Sequence, residues 1–131
     1  MKNTEKNTQS KQIILVVEDD NFLANAYRIK LQNAGYEILL ATNGEEALKI
    51  LEEKKPHLMI LDLLMPNTDG FSVLEKLQKD NKREMPILVA TNLGQKEDFD
   101  RAKALGASDY VIKSNVSLDE LLNKIQTLLK H

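Results

Sequence analysis

Hydrophobic residues form five short runs along the chain, at residues 13–17, 36–40, 58–61, 86–90 and 110–112. These runs alternate with five segments in which apolar residues recur with helical period. Several runs contain no alternating polar residues, so we predict strands whose two faces are both buried. The pattern predicts an α/β fold in which a parallel sheet carries helices on both sides.

The ends of the predicted helices are marked by local signals. The segments NGEE at 43–46 and SLDE at 117–120 have the spacing of capping boxes. Gly35 and Gly106 lie where two helices should end. The last helix has an apolar stripe, which we interpret as ordinary core packing. Its members are Leu118, Leu121, Leu122, Ile125, Leu128 and Leu129.

The number of strands and the chain length favour a flavodoxin-like, doubly wound sheet with strand order 2-1-3-4-5. Such a sheet opens a crevice between the carboxyl ends of strands 1 and 3, where ligands bind. Glu18 and Asp19 directly follow strand 1, and Asp62 directly follows strand 3. We therefore expect these three carboxylates to meet in the crevice.

The 131 residues, 42% of them hydrophobic, fit one domain with a core. We predict a disordered tail at residues 1–11 and a folded domain at 12–131. The net charge of −2, with acids and bases interspersed, provides no basic field, so we expect neither direct nucleic acid binding nor membrane binding. Cysteine is absent and no apolar run could span a bilayer, so we expect a cytoplasmic protein.

Three carboxylates in one crevice repel one another unless a cation neutralises them. Oxygen ligands favour Mg²⁺ over zinc. The two histidines, His57 and His131, do not follow strand ends, which argues against histidine acid–base catalysis. Asp62 needs no such base, since a carboxylate is ionised near neutral pH and can attack phosphorus directly.

The ends of strands 4 and 5 offer two further polar groups. Thr91 carries a hydroxyl group, and Lys113 carries an ammonium group one residue beyond the last apolar run. Both groups could bind the oxygens of a phosphoryl group.

Four segments together resemble the receiver domain of two-component response regulators, of the CheY-like single-domain type. They are ILVVEDD, LDLLMPNTDGF, PILVATN and GASDYVIKS, in this order. The resemblance implies that Asp62 is the phosphoacceptor, that Glu18, Asp19 and the Leu64 backbone carbonyl serve a Mg²⁺ site, and that Thr91 and Lys113 contact the phosphoryl group. Tyr110 matches the aromatic switch position.

By this resemblance the protein is a phosphorylation-dependent switch and not a turnover enzyme. A sensor histidine kinase or a histidine phosphotransfer protein would supply the phosphoryl group. The protein would catalyse its own phosphorylation and slow dephosphorylation, and its face of helix 4, strand 5 and helix 5 would bind an unknown protein target. The sequence alone fits a single-domain regulator, a relay intermediate or a receiver from a longer chain.

Two residues depart from the family pattern. Ser114 follows Lys113 where the family usually has proline, and we expect a trans bond there because a cis bond before a non-proline residue costs about 2.5–4 kcal/mol. Asn92 stands where the family usually has alanine or glycine.

In the family, positions equivalent to Leu64 and Leu93 flank the hydrolytic water. With Asn92 they should crowd its path, so we expect the phosphorylated form to persist.

Three other functions compete with this interpretation. A degenerate receiver that only binds proteins is the main alternative. A phosphatase of the haloacid-dehalogenase type would need a second aspartate at the position of Leu64. A flavin mononucleotide site would need a phosphate-binding loop after strand 1, where the acidic segment EDDN would repel the phosphate.

Overall fold

A computed structural model describes residues 11–66, 69–80 and 85–130 of the chain. The five strands form one parallel sheet in the order β2-β1-β3-β4-β5, which confirms the predicted flavodoxin-like α/β fold. The strands are β1 (Ile13–Val17), β2 (Glu37–Ala41), β3 (Leu58–Leu61), β4 (Ile87–Thr91) and β5 (Asp109–Ile112). The predicted disordered tail, except for Lys11, and His131 lie outside the described residues.

Five α-helices connect and follow the strands. They are α1 (Asn21–Asn33), α2 (Gly44–Glu53), α3 (Gly70–Asp80), α4 (Lys96–Ala104) and α5 (Leu118–Leu129). A short 3₁₀ helix, Lys113–Asn115, lies between β5 and α5. Among the described residues no helix is long and apolar enough to cross a membrane.

Two hydrophobic cores cover the two faces of the sheet. Alternate residues of the central strands point to opposite faces, so Leu15 and Met59 enter one core while Ile14 and Leu58 enter the other. Helices α2, α3 and α4 contribute to the first core, and α1 and α5 contribute to the second. The apolar stripe of α5 packs in this second core as predicted, apart from the exposed Leu118.

The central strands confirm the expected burial of both faces, because every residue of β3 and β4 is buried. At the edge of the sheet, β2 is largely half-buried or exposed. Its apolar run predicted residues 36–40, whereas the strand spans Glu37–Ala41. Ala41, the last residue of β2, lies beside Val17, the last residue of β1, so these two strands end at the same level.

The helix boundaries largely follow the predicted signals. Gly35 and Gly106 adopt positive φ angles of 101° and 105° after α1 and α4. Ser117 and Glu120 form a reciprocal capping box at α5. The capping box predicted at 43–46 is only half correct, because the Glu46 side chain accepts hydrogen bonds from the backbone and hydroxyl of Thr42 instead of returning to the cap residue.

The register of β1 and β3 sets up the carboxyl end of the sheet. Val17 lies beside Leu61, and the backbone N–H of Asp62 donates to the carbonyl of Val17 at 3.1 Å. On the far side of the following loop, Gly70 packs against the backbone of Asp62. A Cβ atom at Gly70 would lie 2.4 Å from the Asp62 carbonyl oxygen. The start of α3 therefore packs directly against the end of β3, where there is no room for a side chain.

Candidate functional site

The three carboxylates predicted to meet do so at the carboxyl ends of β1 and β3. Oxygen atoms of Glu18, Asp19 and Asp62 all lie within 4.8 Å of one another. Glu18 and Asp62 are only 2% and 4% exposed, whereas Asp19 is exposed to solvent. The crevice therefore contains two buried acids and one acid at its rim.

The Lys113 ammonium group bridges the two buried acids. Its Nζ atom lies 2.6 Å from Glu18 Oε1 and 2.6 Å from Asp62 Oδ2. The Lys113 side chain is 14% exposed, and burial alone would lower its pKa. The hydrogen bonds to Asp62 and Glu18 outweigh this burial, so the pKa of Lys113 is raised and the ammonium group stays charged.

Glu18 is held from two sides. Burial raises the pKa of its carboxyl group, while hydrogen bonds from Lys113 and from the backbone of Asp20 act in the opposite direction. The Asp20 N–H donates to Glu18 Oε2 at 3.0 Å. Asp20 itself caps α1, since its side chain accepts hydrogen bonds from the backbones of Phe22 and Leu23. The start of α1 thus orients Glu18.

Both carboxylate oxygens of Asp62 have hydrogen-bond donors. Oδ2 accepts from Lys113, and Oδ1 accepts from the Leu64 N–H at 3.1 Å. These donors hold both oxygens of the carboxylate in a fixed orientation. The Leu64 side chain contributes no polar group and is 54% exposed.

The residues expected to report on the site converge on the backbone of Leu93. Thr91 is fully buried at the end of β4, and its Oγ1 accepts from the Leu93 N–H at 3.4 Å. The Tyr110 hydroxyl donates to the Leu93 carbonyl at 2.7 Å. The Tyr110 ring also contacts Phe99 of α4 edge to face, with centroids 5.4 Å apart. Sequence reasoning missed this convergence, because a backbone acceptor has no sequence signal.

Asn92 and Ser114, which depart from the family pattern, contact each other. The Ser114 N–H donates to Asn92 Oδ1 at 3.1 Å. The described residues contain no cis peptide bond, as expected for Lys113–Ser114. His57 lies at the opposite end of the sheet, where its Nδ1 accepts from the Ile13 N–H at 2.9 Å.

The chemistry of the donor set fits a Mg²⁺ ion. The clustered groups are all carboxylates, and the exposed Asp19 leaves the cluster open on its solvent side. Magnesium commonly binds to one or two carboxylates and keeps several water ligands. The acidic cluster therefore supports the predicted cofactor, while the individual ligand roles remain predictions.

Solved structures of receiver domains closely match the fold. The receiver domain of the Francisella response regulator 1452 is 29% identical with a TM-score of 0.85, over 92% of this chain and 98% of that chain. A CheY-like receiver domain protein from Methanospirillum hungatei is also 29% identical, with a TM-score of 0.87 over 92% of this chain and 95% of that chain.

Curated relatives include regulators of about twice this length. A probable transcriptional regulator, ycf27 of Cyanophora paradoxa, is 39% identical over 92% of this chain and 49% of its own length. The DNA-binding dual master transcriptional regulator RpaA of Synechocystis is 33% identical over 89% of this chain and 48% of its own length. The chain therefore spans about half the length of these relatives.

These relatives correct one prediction. We expected no direct nucleic acid binding because the chain lacks a basic field, and this prediction is wrong: similar proteins include one named as DNA-binding. The net charge gave the wrong prediction for nucleic acid binding because the value of −2 describes only the residues of this chain. It carries no information about the half of each relative that the chain does not match.

The sequence match to a known family covers most of the folded part. Residues 14–126 match the response regulator receiver domain. The matched range includes the acidic cluster, Thr91, Tyr110 and Lys113. The chain belongs to the response regulator receiver domain family.

Proposed function

We propose that Asp62 accepts a phosphoryl group from the phosphohistidine of a sensor kinase or a histidine phosphotransfer protein. The observation that carries this proposal is the buried Asp62 carboxylate, bridged to Glu18 by Lys113 at the end of β3. Receiver domains are signalling proteins and not turnover enzymes. The protein would act stoichiometrically, as a switch that holds the phosphoryl group and changes its surface.

In the proposed reaction, an Asp62 oxygen forms a bond to phosphorus as the bond from phosphorus to the donor nitrogen breaks. The carboxylate is a sufficient nucleophile, so no general base is needed. Catalysis then depends on positioning and on neutralising the phosphoryl oxygens. Lys113 already lies 2.6 Å from Asp62 and would move onto a phosphoryl oxygen, while the Leu64 N–H would continue to orient the aspartyl group.

Glu18, Asp19, Asp62 and the Leu64 carbonyl are the groups that would hold Mg²⁺ in this proposal. A bound Mg²⁺ ion would supply positive charge that stabilises the phosphoryl oxygens. Glu18 also contacts the Lys113 ammonium group at 2.6 Å and would help to hold it close to the reacting carboxylate.

The main alternative, a degenerate receiver that only binds proteins, would need neither this cation site nor the lysine bridge. The buried acids are costly to keep unless their charges serve a purpose or are compensated. A haloacid-dehalogenase phosphatase is disfavoured because Leu64, where its acid–base would lie, is apolar and exposed. Uptake of phosphate at Asp62 separates the proposal from the degenerate receiver. A phosphatase of this type would also carry phosphate on its aspartate, so the evidence against it is Leu64.

We propose that the signal leaves the site through the backbone of Leu93. At present the Thr91 hydroxyl accepts from the Leu93 N–H, while Tyr110 donates to the carbonyl of the same residue. If the Thr91 hydroxyl turns to a phosphoryl oxygen, the Leu93 amide loses its partner and the loop can shift. Tyr110 and its contact with Phe99 would then carry the shift to α4, β5 and α5.

We further propose that the phosphorylated state is long-lived. Neither Leu64 nor Leu93 can orient a water molecule opposite the leaving aspartyl oxygen. The Leu93 side chain is half-buried and packs against the core, so an apolar group lies in this part of the loop. The Asn92 side-chain oxygen is already bonded to Ser114. The residues around the approach of the water therefore shield the aspartyl phosphate.

Phosphorylation of Asp62 is tested by mass spectrometry of the intact protein and its peptides after incubation with a small acyl phosphate donor and Mg²⁺. We expect one phosphoryl group on wild type, none on Asp62→Asn, and normal uptake by Asp69→Asn. Asp69 is a matched control because its side chain caps α3 outside the crevice, a role that asparagine also fills. Phosphate on Asp62→Asn, unchanged uptake in excess chelator, or none on wild type would contradict the proposal.

The route through Thr91 is tested by amide chemical shifts with and without beryllofluoride as a phosphoryl mimic. Thr91→Val keeps the shape but removes the hydroxyl, so we expect changes near Asp62 but much smaller changes at Phe99 and Tyr110. Thr91→Ser keeps the hydroxyl and should retain the distant changes. If beryllofluoride changes the amide chemical shift of Tyr110 in Thr91→Val as much as in wild type, this route is ruled out.

The proposed lifetime is tested by the decay of phosphorylated protein at a fixed Mg²⁺ concentration. Leu64→Glu introduces a group that can orient water, and the exposure of Leu64 means that little packing is lost. We expect decay to accelerate on the order of tenfold, below the roughly 10²–10⁴-fold typical of a positioned general base. Leu40→Glu, at an exposed position on β2, is the control and should decay like wild type. Equal decay of Leu64→Glu and wild type would refute the explanation.

A further inference from the structure

The β4–β5 ladder ends just before the residues that reach the site. Its last register pair is Thr91 with Ile112. At the first residue after β4, the side chain of Asn92 accepts a hydrogen bond from the Ser114 N–H at 3.1 Å. A side-chain amide thus continues the connection between the two chain segments beyond the last paired residues.

This hydrogen bond also caps the 3₁₀ helix Lys113–Asn115. The first N–H groups of any helix lack partners within that helix and need an acceptor from elsewhere. The residue at the cap position is Ile112, which makes no side-chain cap hydrogen bond. Asn92 supplies an acceptor from the neighbouring segment, so the residue that follows β4 holds the start of the 3₁₀ helix.

Lys113 lies between the two points of attachment. On its N-terminal side, Ile112 pairs with Thr91 in the sheet. On its C-terminal side, Ser114 is hydrogen-bonded to the side chain of Asn92. The backbone of Lys113 is therefore restrained on both sides. From this position its side chain reaches Asp62 and Glu18, each at 2.6 Å.

We propose that Asn92 is a positioning residue for Lys113. Its side-chain carbonyl holds the backbone of Ser114, and this restraint keeps the ammonium group of Lys113 on the Asp62 carboxylate. The role depends on the acceptor oxygen of Asn92 and on the Ser114 N–H; the Ser114 hydroxyl has no part in it. Both partners are exposed to solvent, so the restraint is modest and the expected effects are several-fold.

The test compares two nearly isosteric variants. Asn92→Leu removes the acceptor oxygen, and Asn92→Asp keeps it. Ser114→Ala keeps the N–H and serves as the control on the donor side. Nuclear magnetic resonance measures hydrogen exchange of the Ser114 amide and the signal of the Lys113 ammonium protons, which is visible only while hydrogen bonds slow their exchange with water. Neither measurement requires phosphorylation.

In Asn92→Leu we expect the Ser114 amide to exchange on the order of fivefold faster, the effect of losing one ordinary hydrogen bond. The Lys113 ammonium signal should broaden or disappear. Asn92→Asp and Ser114→Ala should retain both properties of wild type. If the Ser114 amide exchanges at the wild-type rate in Asn92→Leu, the hydrogen bond to Asn92 does not protect it. If the Lys113 ammonium signal is also unchanged in that variant, Asn92 does not position Lys113.

Labelling with a small acyl phosphate donor connects this inference to the proposed function. Asn92→Leu should take up phosphate several-fold more slowly than wild type. In a Lys113→Met background the same substitution should have no further effect, because residues that act through one group are not additive. Equal slowing in both backgrounds would contradict positioning through Lys113. If wild type takes up no phosphate, the proposed function fails, and the resonance measurements still decide the role of Asn92.

Discussion

The bridge from Lys113 to Asp62 and Glu18 is the interaction on which the site depends. Two acids are buried at the end of a parallel sheet, where their mutual repulsion and loss of hydration cost free energy. A single ammonium group 2.6 Å from both offsets this cost and keeps Asp62 in an environment suited to an anion. The exposed Asp19 leaves the cluster with excess negative charge, which a divalent cation would balance. In the proposed reaction Asp62 receives the phosphoryl group, and Lys113 and the cation neutralise its oxygens.

The fold brings this bridge about by ordinary means. Buried apolar strands end at one edge of the sheet, and the register of β1 against β3 sets Glu18 beside Asp62. Lys113 begins a 3₁₀ helix at the end of β5 and reaches across β4 to them. The loop after β4 lies between, and its backbone at Leu93 contacts both Thr91 and Tyr110. These two contacts are the basis of the proposed route from the acids to the face formed by α4, β5 and α5.

Apolar runs and strand-end acids were sufficient to predict the sheet order and the meeting of three carboxylates, because both follow from period and topology. The contacts between loops were not predictable. Asn92 and Ser114 stood out only as departures from a pattern, since a side chain bonded to a distant backbone N–H leaves no periodic signal. The Glu46 side chain binds Thr42, which offers two donors, instead of the backbone N–H of the cap residue Asn43. Composition also failed on nucleic acid binding, because the relatives extend beyond the matched half.

The most direct test of the lysine bridge is the free energy of unfolding of Lys113→Met with and without Mg²⁺. Without Mg²⁺ the variant should lose up to about 3–5 kcal/mol, the cost of removing one partner from a buried ion pair. Saturating Mg²⁺ should stabilise the variant more than wild type, because the uncompensated carboxylates bind the cation more tightly. Lys124→Met is the control, since the side chains of its pair with Asp109 are 42% and 37% exposed and the pair should contribute less than the buried bridge. A Lys113→Met protein as stable as wild type without Mg²⁺, or one that gains no more from Mg²⁺ than wild type gains, would contradict this account.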